Sequence, residues 1–195
     1  IWDTIITLTE PIELDIDLGG NQIIKLGDQA SIDAEVNIPI ENIDTLIWSP
    51  AEILDCENPN CLSVNYSDFD PHYISATLID KNGCMVEDRI NVQVNKEKKV
   101  FIPNIFTPND DGKNDRFTIF GDPNEITNIK KLTIIDRWGA ALYLSEDFQP
   151  NDTNRGWDGK FKGQLMPNGI FAYLAEVEFI DGSTNSYKGY VTLIQ

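Results

Sequence analysis

Residues 101–117, FIPNIFTPNDDGKNDRF, hold the densest set of side chains able to do chemistry. Asn109, Asp111 and Asp115 are oxygen donors at calcium-loop spacing, and Gly112 between them permits a sharp turn. The match to an EF-hand loop is incomplete. Thr107 stands at its first ligand position, and Thr118 at the twelfth, where a bidentate glutamate belongs. The same residues also spell an Asx-type turn, in which Asn and Asp side chains cap main-chain N–H groups instead of a cation. Both readings stand on the sequence. Apart from calcium, no cofactor is expected.

Other chemistry is sparse. The lone histidine, His72, has no nucleophile motif of the G-x-S-x-G kind near it. No Gly-rich phosphate loop or dinucleotide fingerprint occurs. Carboxylates are so numerous that pairs arise by chance, and none is marked as a general acid. The chain is therefore expected not to be an enzyme. Cys56, Cys61 and Cys84 with one histidine do not make a four-ligand zinc site. The loop CENPNC is short and turn-rich, which suits a local disulfide formed in an oxidising compartment.

A third chemistry is recognition. Lys130, Lys131, Arg137, Lys160 and Lys162 place cations in the second half of the chain. A face made of Arg137, Trp138 and Trp157 suits protein binding, because tryptophan and arginine dominate interface hot spots. The same tryptophans could equally plug the ends of a β-sandwich. They could also stack on sugar rings, which gives a carbohydrate-binding module as the alternative function. Around them, Gly139, Asp158 and Gly159 shape turns; in the 101–117 stretch Phe106, Pro108, Asn109, Gly112, Asn114 and Asp115 give the loop its contour. These twelve residues are the candidate recognition set. An open sheet edge, such as that of the last strand, offers strand addition as a further route.

The elements that must position these residues read as β throughout. ASIDAEV (30–36), DTLIWS (44–49), CLSVNY (61–66), YISATLID (73–80) and VEDRINVQV (86–94) are short runs, several alternating with period two. Asn82-Gly83 between two of them predicts a type I′ hairpin turn. The second half offers 116–121, 130–136, 140–145, 169–180 and 187–195, with turns at Arg137-Trp138-Gly139 and Asp181-Gly182. Pro103 and Pro108 keep regular strand or helix out of 101–117. With no helical crossovers, the expected fold is all-β, two antiparallel sandwiches of immunoglobulin-like type in tandem. In the first, Trp48 is the expected core tryptophan and Tyr73 the tyrosine corner. A six-residue strand spans about 20 Å and a disulfide bridges a Cα separation of at most about 7 Å. Cys56–Cys61 is therefore the expected pair, with Cys84 a buried free thiol.

Composition agrees with a folded chain. The 195 residues are 41% hydrophobic and 24% charged, which excludes wholesale disorder. No apolar run is long enough for a membrane helix. Residues 1–95 carry 18 acids against 3 bases and residues 96–195 carry 14 against 12, so the net charges are −15 and −2. This shift at Lys96 predicts a domain boundary there. The acidic front half repels nucleic acid and anionic lipid; it reads as a solvated stalk or an acidic docking face. Residues 1–9 read as the end of a preceding module or linker.

IPNIFTPNDDGKNDRF, LTIIDRWGAALY, the Trp157-Asp158-Gly159 loop, MPNGIFAYLAE and the closing KGYVTLI occur in one order over residues 99–195. Together they resemble the gliding-motility-associated C-terminal domain, the type B sorting domain of the type IX secretion system of Bacteroidetes. Asp136 stands where that family more often has asparagine, and Asp110 where glycine is frequent. TLIWSP, CENPNC and YISATLIDKNGC make residues 10–95 similar to the immunoglobulin- or PKD-like repeats of surface adhesins. The resemblance implies a sorting domain at 96–195 and a stalk domain at 10–95 of a cell-surface adhesin. It implies passage through the periplasm and attachment at the outer membrane. The implied partners are the type IX translocon and a PorP/SprF-like β-barrel.

Overall fold

The computed structural model describes residues 13–56 and 60–195. The reading of 1–9 as a linker lies outside them. The chain divides into two compact units, Ile1–Asn95 and Lys96–Gln195. Among the described residues there is no α-helix, only three single-turn 3-10 segments. Among those residues no helix is long and apolar enough to cross a membrane.

The first unit contains β1 (Ile16–Asp17), β2 (Gln22–Lys25), β3 (Ala30–Asp33), β4 (Glu35–Val36), β5 (Ile43–Ser49), β6 (Leu54–Asp55), β7 (Ser63–Tyr66), β8 (His72–Asp80) and β9 (Met85–Asn95). A sheet in the order β2-β9-β8-β5 faces a second in the order β3-β7-β6. Period-two alternation puts Ile74, Ala76 and Leu78 of β8 inside with no exposed surface. In β5 a register shift between Ile43 and Thr45 lets Ile43, Leu46 and Trp48 all face the core despite their uneven spacing. Trp48 donates its indole N–H to the carbonyl of Cys61, 2.8 Å away. Cys61 is in turn disulfide-bonded to Cys56, with Cα atoms 5.9 Å apart.

Three expectations are corrected here. The buried corner tyrosine is Tyr66, not Tyr73. Tyr66 has no exposed surface and donates to the Asp70 carbonyl, whereas Tyr73 points outward at 64% exposure, with Arg89 over its ring. Parity decides this, since Ile74 takes the inward position. The β8–β9 turn is not type I′. Gly83 alone has positive φ (85°), its N–H donates to Asp80 O and Asp80 N–H donates to Cys84 O, a type I turn closed by a glycine bulge. Cys84, at the end of that turn, is a free thiol but an exposed one.

The second unit contains β10 (Val100–Phe101), β11 (Ile105–Phe106), β12 (Phe120–Gly121), β13 (Ile126–Ile135), β14 (Ala141–Phe148), β15 (Lys160–Phe161), β16 (Gln164–Leu165), β17 (Gly169–Phe179) and β18 (Thr184–Leu193). Its main sheet runs β11-β18-β17-β13-β14. The opposing layer is assembled from the β10–β12 ladder, a bridge between Phe117 and Trp157, and the β15–β16 hairpin. Both units share one device: a short strand near the start pairs parallel with the last strand, β2 with β9 and β11 with β18. The 101–117 stretch therefore does contain strand. Pro103 stops β11 from extending backwards, since it has no N–H to give. That pairing also covers the C-terminal end of the last strand's edge, one of the edges that strand addition could have used.

Candidate functional site

Four segments converge at one end of the second unit's main sheet. The 107–115 loop leaves from Phe106, which pairs with Leu193 at the end of β18. The 136–140 turn caps β13 and β14. Residues 158–168 cross the end of the sheet, and the last residues, Ile194 and Gln195, lie against them. Met166 N–H donates to Gly159 O at 2.8 Å. The side chain of Gln195 donates to Met166 O, and its backbone N–H to Asn168 Oδ1, at 2.8 and 2.9 Å. Gly159 is where the 107–115 loop, residues 158–168 and the end of β18 meet. It has φ 75°, and a Cβ there would lie 2.8 Å from Leu193 Cδ1 and 3.1 Å from Pro108 Cγ.

In the loop, Asp115 acts as an internal anion. Its Oδ1 accepts from the N–H groups of Asn109 and Asp110, and its Oδ2 from Gly112. Asp111 accepts from Lys113 N–H and from the Asn109 side-chain amide, while Asn109 Oδ1 accepts from Asp111 N–H. The Asn114 carbonyl takes the N–H of Thr107. The oxygens a calcium ion would need are thus ringed by N–H donors, whose positive ends a cation would have to displace. Among the described residues no group of three or more acidic, histidine or cysteine side chains is placed to hold a metal. The Asx-turn reading of Asn109, Asp111 and Asp115 describes what is there.

The aromatic candidates separate. Trp157 has no exposed surface, lies 5.3 Å from the Phe106 ring and 5.0 Å edge-on to Phe171, and donates its indole N–H to Lys160 O. Phe106 is equally buried. Trp138 is 83% exposed at the apex of its turn, with the Arg137 guanidinium 5.5 Å over its ring. A joint surface of Trp138 and Trp157, for protein or for sugar, is therefore absent. Asp158 accepts from Lys160 N–H and shapes the turn before Gly159.

The turn bearing Arg137 and Trp138 repeats the geometry at Gly83. Gly139 has φ 86°, its N–H donates to Asp136 O, and Asp136 Oδ1 accepts from both Trp138 and Ala140 N–H at 2.8 Å. A carboxylate or an amide oxygen serves equally there, which accommodates aspartate at this position. A cleft of about 200 Å³ lies beside the turn, walled by Trp138, Met166, Pro167, Asn168 and Ile170. Sequence reading placed Met166–Ile170 in a motif but gave its residues no role. Their signal was Pro-Asn-Gly before a strand, which reads only as a turn.

Residues 100–193 match the CHU_C type IX secretion signal domain. No curated protein matches the chain. Among solved structures it is similar to the PKD domain of the KIAA 1837 protein (16% identity, 47% of this chain and 95% of that one, TM-score 0.36). It is also similar to dimeric latent PorU from Porphyromonas gingivalis (14%, 95% and 20%, TM-score 0.32). A third is the SGBP-B protein of a Bacteroides ovatus mixed-linkage glucan utilization locus, in complex with a heptasaccharide (17%, 96% and 48%, TM-score 0.35).

Proposed function

Residues 100–193 being a type IX secretion signal domain, we propose that Lys96–Gln195 is the export and attachment address of a cell-surface adhesin, with the first unit as its stalk. A signal domain of this kind implies recognition by the secretion machinery and passage across the outer membrane. The receiving partner is an outer-membrane β-barrel of PorP/SprF type, and the unit performs no reaction of its own. The observation that carries this reading is the family match over residues 100–193. It is supported by the way that match's motifs serve the fold: loop 107–115, turn 136–140 and residues 158–168 are each fixed by internal hydrogen bonds. A rigid contour can be read by a partner without an ordering cost on binding.

The test is display of a reporter fused upstream of residues 1–195. Deleting Lys96–Gln195 is expected to leave the fusion inside the cell; surface display at the undeleted level would sink the reading.

A further inference from the structure

The cleft beside Trp138 has an uneven hydrogen-bonding inventory. Two of its side-chain acceptors are engaged: Asp136 Oδ1 takes two backbone N–H groups, and Asn168 Oδ1 takes the Gln195 N–H. Its donors are not. Among the described residues, the Arg137 guanidinium makes no hydrogen bond or ion pair, and its one recorded contact is the Trp138 ring. The Asn168 side-chain NH₂ donates to no described residue either. Trp138, Met166, Pro167 and Ile170 supply apolar wall, with Ile170 67% exposed. A large indole at the apex of a hydrogen-bonded turn leaves most of its apolar surface in water.

We propose that this cleft docks a protein segment carrying an acidic side chain next to an apolar one. The carboxylate is held by Arg137 and the Asn168 amide, and the apolar neighbour packs on Trp138 and Ile170. An arginine fork matches a carboxylate in two parallel hydrogen bonds, and tryptophan with arginine is the pairing that concentrates binding energy at interfaces. A protein partner fits better than an anionic membrane. The exposed Asp110 and Asp111 lie in a loop that leaves the same end of the sheet. A flat layer of phosphates would face those carboxylates as well as Arg137, whereas a single side chain can meet Arg137 and Asn168 beside an Asp136 carboxylate already engaged by two backbone N–H groups. This inference rests on the export reading above and names the chemistry of the contact.

The binding test uses the full chain, ¹⁵N-labelled, titrated with the capped tripeptide acetyl-Leu-Glu-Phe-amide, with its glutamine counterpart, and with phosphatidylglycerol vesicles. The expected result is shifts at the Trp138 indole and the Asn168 side-chain amide, with the glutamine peptide about tenfold weaker, as one lost charge-assisted hydrogen bond implies. Arg137→Gln should erase that difference, and Trp138→Ala should weaken both peptides. Equal affinities, shifts elsewhere, preference for the vesicles, or no response up to about 10 mM, above the millimolar Kd of so small a contact, would each overturn the proposal. In cells, the Arg137→Gln, Trp138→Ala double variant should lose display while melting like the parent. If it is displayed normally while deletion of Lys96–Gln195 abolishes display, the docking proposal fails and the export reading stands.

Discussion

At the scale of single residues, two tryptophans of the same unit have opposite tasks. Trp157 is enclosed by Phe106 and Phe171 and tied through its indole N–H to Lys160 O. Trp157→Ala is expected to cost about 3–5 kcal/mol, a fall in Tm on the order of 20 °C for a unit this size. Trp138→Ala removes a ring that water already surrounds and should shift stability by less than about 0.5 kcal/mol. Scanning calorimetry of the two variants separates these outcomes, and equal melting would mean that the buried aromatic cluster is wrongly placed. Composition and motif could not separate the pair, because both follow the same signal, a tryptophan beside glycine in a turn-rich stretch. What differs is depth. The Asp115 carboxylate carries the same lesson: its spacing fits calcium, yet it is satisfied by three backbone N–H groups that only the folded loop brings to it.

At the scale of elements, three hairpins close in the same way, with Gly83, Gly139 and Gly182 at positive φ after a type I turn. Asp80 braces the first through the N–H groups of Asn82 and Cys84, and the Cys84 N–H is the main cause holding its carboxyl below the ordinary range. The last hairpin is also clasped from a distance. Lys98 Nζ lies 2.8 Å from Asp181 Oδ2, contacts Ser183 Oγ and sits 4.8 Å over the Phe179 ring. Burial alone would raise the Asp181 carboxyl. The Lys98 and Ser183 hydrogen bonds and the Lys98 charge overrule it and hold it at about 2. Since the folded value is depressed from 3.8, the clasp contributes stability that is present above about pH 4 and lost as pH falls towards 2. Lys98→Met should therefore flatten the pH dependence of the second unit's Tm across that window, and an unchanged acid limb would refute the clasp. The far edge of the main sheet is guarded too. Arg155 donates to the Glu146 carbonyl and Ser145 Oγ, and Asp147 takes positive φ, which blunts β14 against strand addition.

At the scale of the whole molecule, charge is divided as sharply as the fold. The first 95 residues carry −15 and the remaining hundred −2. Self-repulsion destabilises a compact, highly charged unit and is screened by salt. Raising salt from low ionic strength to about 0.15 M, where the Debye length is about 8 Å, should raise the Tm of the first unit and leave that of the second nearly unmoved. Parallel shifts of both transitions would contradict the separation. The all-β class and the family motifs were legible in the sequence, because alternation as regular as YISATLID leaves a half-buried strand as its one compact use, and because motifs are strings. The residues that face solvent in a usable way were not. Tyr66 rather than Tyr73 in the corner, Trp157 inside and Trp138 outside, and a cleft that sets the Arg137 guanidinium beside an exposed indole were decided by tertiary structure. Each depends on strand parity, a bulge or a long-range hydrogen bond, and a one-residue change of register turns a side chain from core to water without altering the local sequence.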